Sequence, residues 1–453
     1  MTLITKLKSI NRNKLIRSII SNFTKDVIYT LLNSLWRIVS GPLTLLFIPL
    51  FLSSQTQGFW YTFISLSALT IFADLGFTTI VTQFAAHEFA HLKFNKETGL
   101  FEGEELALKQ IGSLLKFVMK WSMTVSAIGF PIILFIGFLM FKNKTNDVDW
   151  ILPWCIYVFA SGLTFTAGST LSFFEGCGQI ATIEKNRLIS SLTYTACVAT
   201  MLYFGFNLYS LAFTTIISAG VNIFLLLFNF RKLIFQMINA SKGFISNWRK
   251  DFLQLIWKYA LSWSSGYFMF QIYTPLMFQF HGSAEAGKVG ISIALVTAAF
   301  SISNVWMYVA NPKLNMFASK QNWRAMDNLL LKTIALSVLT FSLGGILVIS
   351  IMYFFPEIPL LKRFIGIVPM SFLFASWIFL IVIYGLATYL RAHKQEPMVL
   401  ISIVSAIYIG ITTFFSIKFL DPKYLFLGFF TAQVFGLPAT IMIFIKKRRE
   451  WHQ

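Results

Sequence analysis

Residues 58–92, GFWYTFISLSALTIFADLGFTTIVTQFAAHEFAHL, contain the features that decide the fold. The stretch opens with Trp60 and Tyr61, whose amphipathic rings are typical of the membrane–water interface, and it continues as a long apolar run. Asp74 interrupts that run and Gly76 follows two residues later. A carboxylate inside a membrane segment is costly, so it usually faces a partner or a wet cavity rather than lipid. The stretch therefore predicts a membrane helix with one buried charge.

The composition indicates a polytopic helical membrane protein. Of the 453 residues, 56% are hydrophobic and only 12% are charged, whereas soluble domains average about 25% charged residues. The formal net charge is +19, but the basic residues lie mostly between apolar runs, which predicts a role in membrane topology and no nucleic-acid partner. Cys155, Cys177 and Cys197 lack the spacing of a disulfide or a metal site and are expected to be small core residues.

Apolar segments of spanning length predict about twelve transmembrane helices. The predicted spans are 27–52, 58–86, 113–140, 151–174, 187–206, 208–229, 259–281, 287–311, 331–353, 365–390, 398–419 and 423–445. An even number places both termini on one side. That side carries 29 Lys and Arg residues and the opposite side carries 7, so the first side and both termini are predicted to be cytoplasmic.

A long basic connection divides the chain into two sets of six spans. The predicted units are an N-terminal bundle at 1–230, a cytoplasmic linker at 231–258 and a C-terminal bundle at 259–453. The linker mixes Trp248 and Trp257 with basic residues, which predicts an amphipathic helix on the inner leaflet.

The second and eighth spans resemble each other, which suggests an internal repeat. Each follows a short external turn that ends in glycine, Gly58 in one and Gly287 in the other. Two further identities, Ile64 with Ile293 and Leu66 with Leu295, fall in the same register. Two bundles with equal orientation are related by an axis along the membrane normal.

Arg37 in the first span lies at the same predicted depth as Asp74 in the second. Two interpretations remain open: an ion pair that locks two helices, or a cavity in which Arg37 binds an anionic group of the substrate while Asp74 holds it or titrates. The breakers Gly41-Pro42 and Pro312 mark places where a transporter helix could bend.

The exit of the fourth span carries Glu175, followed by Glu184, Lys185 and Arg187 at the entrance of the fifth. A solvated cytoplasmic turn explains these charges. The alternative is that Glu175 and Arg187 gate a cavity open to the cytoplasm.

The end of the second span, His87-Glu88-Phe89-Ala90-His91, matches the H-E-x-x-H pattern of zinc proteases. On a helix the two histidines share one face, but a catalytic zinc needs a third protein ligand. No recognisable pattern supplies one, so we expect a solvated helix end and no metal. A membrane zinc protease using His87, Glu88 and His91 is the distant alternative.

Three local motifs resemble the polysaccharide-transport flippases of the superfamily that also contains the multidrug and toxin extruders. They are Gly58-Phe59-Trp60, Asp74-Leu75-Gly76 and Phe174-Glu175-Gly176. The resemblance implies an all-α polytopic membrane protein with two six-helix bundles around a central cavity that opens alternately to each side. It implies a polyprenyl-pyrophosphate-linked oligosaccharide substrate, such as an O-antigen repeat of lipopolysaccharide or a capsule repeat, and Arg37 is the candidate for its pyrophosphate.

The expected function is therefore translocation of that lipid-linked oligosaccharide to the external leaflet of a bacterial inner membrane, without a cofactor and with H⁺ or Na⁺ as candidate coupling ions. Membrane lipids and other polysaccharide-assembly proteins are the candidate partners. The short external loops argue against a polymerase or glycosyltransferase, and no phosphate-binding G-x-x-x-x-G-K-S/T is present. A cation-coupled drug or metabolite exporter of the same architecture is the main alternative.

Overall fold

The computed structural model describes residues 25–142, 148–244, 264–393 and 398–451, together with the single residues 246, 248, 252 and 260; the side chains of residues 25–27, 37 and 73 lie outside this description. The described chain is almost entirely helical. Nine of its helices are long and apolar enough to cross a membrane. The protein is an all-α polytopic membrane protein.

The described residues of the first half cover the six predicted spans and one β-hairpin. The elements are α1 (Lys25–Phe51), α2 (Ser54–Ser67), α3 (Ile71–Asp74), α4 (Phe77–Phe89), β1 (Leu92–Asn95), β2 (Leu100–Gly103), α5 (Glu105–Phe141), α6 (Ile151–Gly176), α7 (Ile180–Tyr203) and α8 (Leu208–Ala240). A 3₁₀ turn, Ala68–Thr70, joins α2 to α3. The second predicted span is thus a series of short helices, which explains why it is not among the nine.

The described residues of the second half repeat this plan without a hairpin. After a helical turn at 264–270 come α9 (Tyr273–His281), α10 (Ser283–Ser303), α11 (Val305–Ser319), α12 (Trp323–Phe354), α13 (Ile367–Arg391), α14 (Val399–Phe419) and α15 (Leu427–Trp451). Short 3₁₀ turns at Leu361–Arg363 and Pro422–Tyr424 precede α13 and α15. The eighth predicted span is therefore the pair α10 and α11.

The two halves join at one end of the molecule, which we name the closed end and which contains residues 52–54 and 355–366. There α2 packs along α10, and one hydrophobic core includes Phe59 and Phe141 of the first half and Phe278 of the second. At the opposite end, named the open end, the described residues form separate cores for each half. The sequence predicts that the closed end is external and the open end cytoplasmic.

The second span breaks where the sequence places Asp74. Leu75 and Gly76 both have left-handed backbone conformations, with φ of 46° and 78°, so α3 ends and α4 starts in a new direction. The Asp74 carboxylate accepts hydrogen bonds from the Thr78 amide (3.2 Å) and the Thr78 hydroxyl (3.1 Å). It thereby satisfies donors that the first turn of α4 would otherwise leave unpaired.

The connection after the second span contains the hairpin β1–β2, which the sequence analysis did not predict. Leu92 pairs with Gly103 and Asn95 with Leu100. The side chain of Gln236 fastens the hairpin to α8, because it accepts from the Phe101 amide (2.9 Å) and donates to the Phe101 carbonyl (2.7 Å). The open end of the first half is thus a small folded unit rather than a loose loop.

The linker differs from its prediction in two respects. Helix α8 continues to Ala240, through residues 231–240 of the segment predicted as linker. Trp248 and Phe252 are buried, at 6% and 1% exposure, whereas an amphipathic helix on the inner leaflet would turn its apolar face to lipid. The Trp248 indole donates to Ser113 Oγ (3.2 Å), so this face covers the first half of the protein.

One expectation about individual residues is corrected. Trp60 and Tyr61 are buried at 1% and 6% exposure, because α10 covers this part of α2, so neither is an interface anchor. The eighth span breaks at Asn304, between α10 and α11, and Pro312 lies inside α11. Pro42 lies within the continuous helix α1, and bending at either proline remains a prediction.

Candidate functional site

A central chamber lies between the two halves, directly below the closed end. Its volume is about 370 Å³, and α1, α2, α7, α10 and residues 270–274 of the seventh span line it. Its polar lining groups include Tyr61, Ser65, Tyr194, Gln271, Thr274 and Thr297. Every lining side chain that the structure describes is uncharged. A concave site with a few convergent polar groups on an apolar wall is the usual form of a binding site.

A second cavity, the C-half chamber, adjoins the first and measures about 540 Å³. The two share Gln271, Thr297 and Ser301 in their walls. Aromatic rings from two helices, Phe300 of α10 and Trp377 and Tyr384 of α13, line it together with Gln433, Thr440 and Arg391. Arg391 is the last residue of α13, so this guanidinium lies toward the open end.

Glycines bring α2 and α10 into backbone contact at the closed end. A Cβ atom on Gly58 would collide with the backbone carbonyl of Ser283, and one on Gly290 would collide with the Tyr61 ring. A Cβ on Gly287 would lie 2.9 Å from the Gly58 nitrogen. The two glycines that the repeat hypothesis aligned therefore lie against each other, between the halves.

Polar contacts reinforce the closed end. The Gln57 amide donates to the Gly287 carbonyl (2.9 Å). The Arg363 guanidinium donates to Ser54 Oγ (2.7 Å) and to the Leu52 carbonyl (3.0 Å), so it connects the loop before α13 to the start of α2. Each of these bonds joins the two halves and has to break before this end can open.

The closed-end loop also carries an exposed ion pair. Lys362 donates to Glu357 Oε2 (2.9 Å), and this hydrogen bond lowers the pKa of the Glu357 carboxyl from its ordinary value. Both groups belong to the same loop, so this pair does not connect the halves.

The structure does not test the predicted pair of Arg37 and Asp74. Asp74 is half-buried and caps α4 through Thr78, which gives its carboxylate a structural role. The side chain of Arg37 lies outside the described part of the chain. In α1 this residue stands four positions before Gly41, which lines the central chamber. Pairing and substrate binding both remain predictions.

Glu175 and Arg187 contact each other near the open end of the first half. Arg187 donates to Glu175 Oε2 (2.6 Å) and to Glu184 Oε1 (2.7 Å), and Asn33 of α1 donates to Glu184 Oε2 (2.7 Å). The network therefore ties α1, α6 and α7 together within one half. Its role as a gate remains a prediction.

The H-E-x-x-H residues do not form the helical arrangement that a zinc protease requires. Helix α4 ends at Phe89, so His91 lies in the turn beyond it and does not share a helical face with His87. His87 contacts Glu88 (3.4 Å), and His91 is 4.0 Å from Glu104. Among the described residues, no three His, Cys, Asp or Glu side chains come together as a metal site.

A further cavity is an apolar groove of about 640 Å³ on α5, α6 and α8. Met123, Phe159 and Leu227 line it and are more than half exposed. It faces outward, where the sequence predicts lipid, and it is separate from both chambers.

Sequence analysis missed the residues of the two chambers. Gln271 is a polar residue inside a predicted span, and that signal could have singled it out. Arg391 counts in the sequence only as a cytoplasmic loop charge, although it ends a helix that lines a cavity. Tyr61 carries no sequence signal beyond that of an interface aromatic.

Neither a protein-family model nor a curated protein matches the chain. Solved structures do match it over nearly their full length. They include the MATE multidrug transporter DinF-BH (TM-score 0.59, 13% identity, 95% of this chain and 96% of that one). The lipid II flippase MurJ in an inward closed conformation matches with a TM-score of 0.58 and 11% identity, over 94% of this chain and 89% of that one. An inward-facing MATE-family multidrug resistance transporter of the MOP superfamily matches with a TM-score of 0.54 and 12% identity, over 94% of this chain and 95% of that one. The chain has the fold of MOP-superfamily transporters.

Proposed function

We propose that the protein is a flippase that moves a polyprenyl-pyrophosphate-linked oligosaccharide from the cytoplasmic to the external leaflet by alternating access. The observation that carries this proposal is the position of the central chamber between the two halves. It lies under an end where the halves share one core, while each half has its own core at the other end. With the predicted topology, this is an inward-open state.

The chemistry of the cavity suits an amphiphile with an anionic group. Aromatic rings and uncharged polar groups line the two chambers, and Arg391 lies toward the open end of the second. Arg37 stands in α1, one turn before Gly41 of the chamber wall. A pyrophosphate bound by either arginine would gain charge-assisted hydrogen bonds, which are shorter and stronger than neutral ones.

A drug or metabolite exporter is the second candidate. An aromatic cluster favours it, because such rings bind planar apolar ligands. The ring centroid of Trp377 lies 5.6 Å from that of Phe270 and 5.0 Å from that of Phe300. The similarity to multidrug transporters is shared by both proposals, since it concerns the fold alone.

The experiment is complementation of a deletion strain, with surface polysaccharide as the readout. Wild type, Arg449→Ala and Glu88→Gln are expected to restore it, whereas an expressed Arg37→Ala is not. Arg449 is an exposed tail residue and serves as the matched arginine control. Altered drug sensitivity with normal polysaccharide in the deletion strain would instead support the exporter. Failure of Glu88→Gln with zinc in the purified protein would support the protease.

A further inference from the structure

The central chamber contains a buried hydroxyl that has no protein partner. Tyr61 is 6% exposed, its ring lies against Gly290, and its hydroxyl makes no hydrogen bond to any described residue. A buried hydroxyl without a partner costs free energy, so native structures seldom retain one without a reason. Tyr61 lines the chamber, but its hydroxyl oxygen is buried behind the wall, so a ligand that shifts the ring can supply the missing partner.

A side-chain amide presents further donors to the same space. Ser65 of α2 donates to Gln271 Oε1 (3.1 Å), and this bond joins the two halves at the chamber wall. The bond orients the Gln271 amide, whose two N–H donors have no acceptor among the described residues. Thr274 and Thr297 add hydroxyl groups to the lining.

These groups share one property: they form hydrogen bonds but carry no charge. Hydroxyl and amide groups beside aromatic rings match a sugar, whose hydroxyls donate and accept while its C–H face packs on a ring. They do not match a pyrophosphate, which calls for cationic donors. In α1, Arg37 precedes Gly41 by one turn on the side of the open end, so the pyrophosphate is expected there rather than in the deepest part of the chamber.

We infer that the central chamber binds the saccharide part of the substrate, with Tyr61 and Gln271 as specificity-determining residues and the pyrophosphate directed toward the open end. This inference rests on the proposed function. It assigns an uncharged, hydroxyl-rich sugar to the chamber, since a carboxylated sugar would find no cation among the described lining residues.

The test compares two ligands on the purified full chain: undecaprenyl diphosphate carrying one N-acetylglucosamine and undecaprenyl diphosphate without sugar. The two ligands differ only in the sugar, so the ratio of their dissociation constants measures the sugar's contribution to binding. For wild type the sugar is expected to tighten binding at least about tenfold, as a few added hydrogen bonds would. For Tyr61→Phe the ratio is expected to fall several-fold, while the Tm stays equal or rises because an unpaired buried hydroxyl has been removed.

Tyr273→Phe is the matched control. Tyr273 is equally buried, but its ring packs on Phe426 and Phe429, outside the chamber, so its loss is expected to leave the sugar ratio unchanged. A wild-type protein that binds neither ligand would overturn the proposed function. Equal binding of both ligands by wild type, or an unchanged ratio in Tyr61→Phe, would overturn the chamber assignment alone and leave the flippase proposal standing.

Discussion

The closed end and the open end use the same two membrane spans in opposite ways. At the closed end α2 and α10 touch backbone to backbone through Gly58 and Gly287. Beyond their breaks, α4 packs mainly on α5 and α6 and α11 packs mainly on α12, each within its own half. Each span is thus divided by its break. The parts at the closed end, α2 and α10, form the contact between the halves, and the parts at the open end, α4 and α11, each pack within one half. This division lets the halves move as bodies while the contact between them opens.

The open end can be weakened without touching the closed end. Phe252→Ala removes a ring that packs on Phe77, Phe84 and Phe117 in the core of the first half. A truncation of this kind costs about 3–5 kcal/mol, and urea titration in detergent micelles measures it. Phe224→Ala, at an exposed position, is the control and should change the free energy of unfolding by less than about 0.5 kcal/mol. Equal effects of the two variants would contradict the burial of Phe252.

The closed end can be forced apart by one side chain. Gly58→Leu places a branched chain where the Ser283 backbone lies, and overpacking of this kind costs about 3 kcal/mol, or ~100-fold in the closed population. The transport rate of the reconstituted protein should fall, because fewer molecules reach the state in which this end is closed. Gly220→Leu, where a Cβ meets open space, should transport as wild type does. Normal transport by Gly58→Leu would show that this contact is not part of the cycle.

The polar contacts of the closed end should have a smaller effect. Arg363→Ala removes two bonds between the halves, and we expect the closed state to lose about 2 kcal/mol. External labelling of a Thr297→Cys reporter in the chamber should become about thirtyfold faster. Lys362→Ala is the neighbouring control, because its bond to Glu357 stays within one loop. Similar labelling rates in both variants would assign no role to Arg363 in closure.

The smallest effect separates the two interpretations of Asp74. If the carboxylate only caps α4, Asp74→Ala should cost about 1 kcal/mol of stability. Asp74→Asn keeps a capping oxygen and should retain near-normal stability and transport. Loss of transport in a stable Asp74→Asn protein would instead show that its charge is needed.

The sequence predicted the spans well because long apolar runs are a local signal. It also aligned Gly58 with Gly287, since both follow a short turn. The break at Asp74 was missed because a single carboxylate in an apolar run looks the same whether it binds a ligand or caps a helix. The resemblance implied a central cavity, but its lining residues were missed for a different reason: Tyr61 and Gln271 lie far apart in the chain, and only packing brings them together.

The most direct test of the closed and open ends is thiol labelling of Thr297→Cys in a chain whose Cys155, Cys177 and Cys197 have been replaced. A membrane-impermeant maleimide is applied to intact cells and to inverted membrane vesicles. Thr297 is exposed and lines the central chamber below the closed end, so labelling is predicted in inverted vesicles and not in intact cells. In the Gly58→Leu background, labelling in intact cells should appear. If the reporter variant without Gly58→Leu were labelled quickly in intact cells and not in inverted vesicles, the assignment of the closed end as external would be wrong.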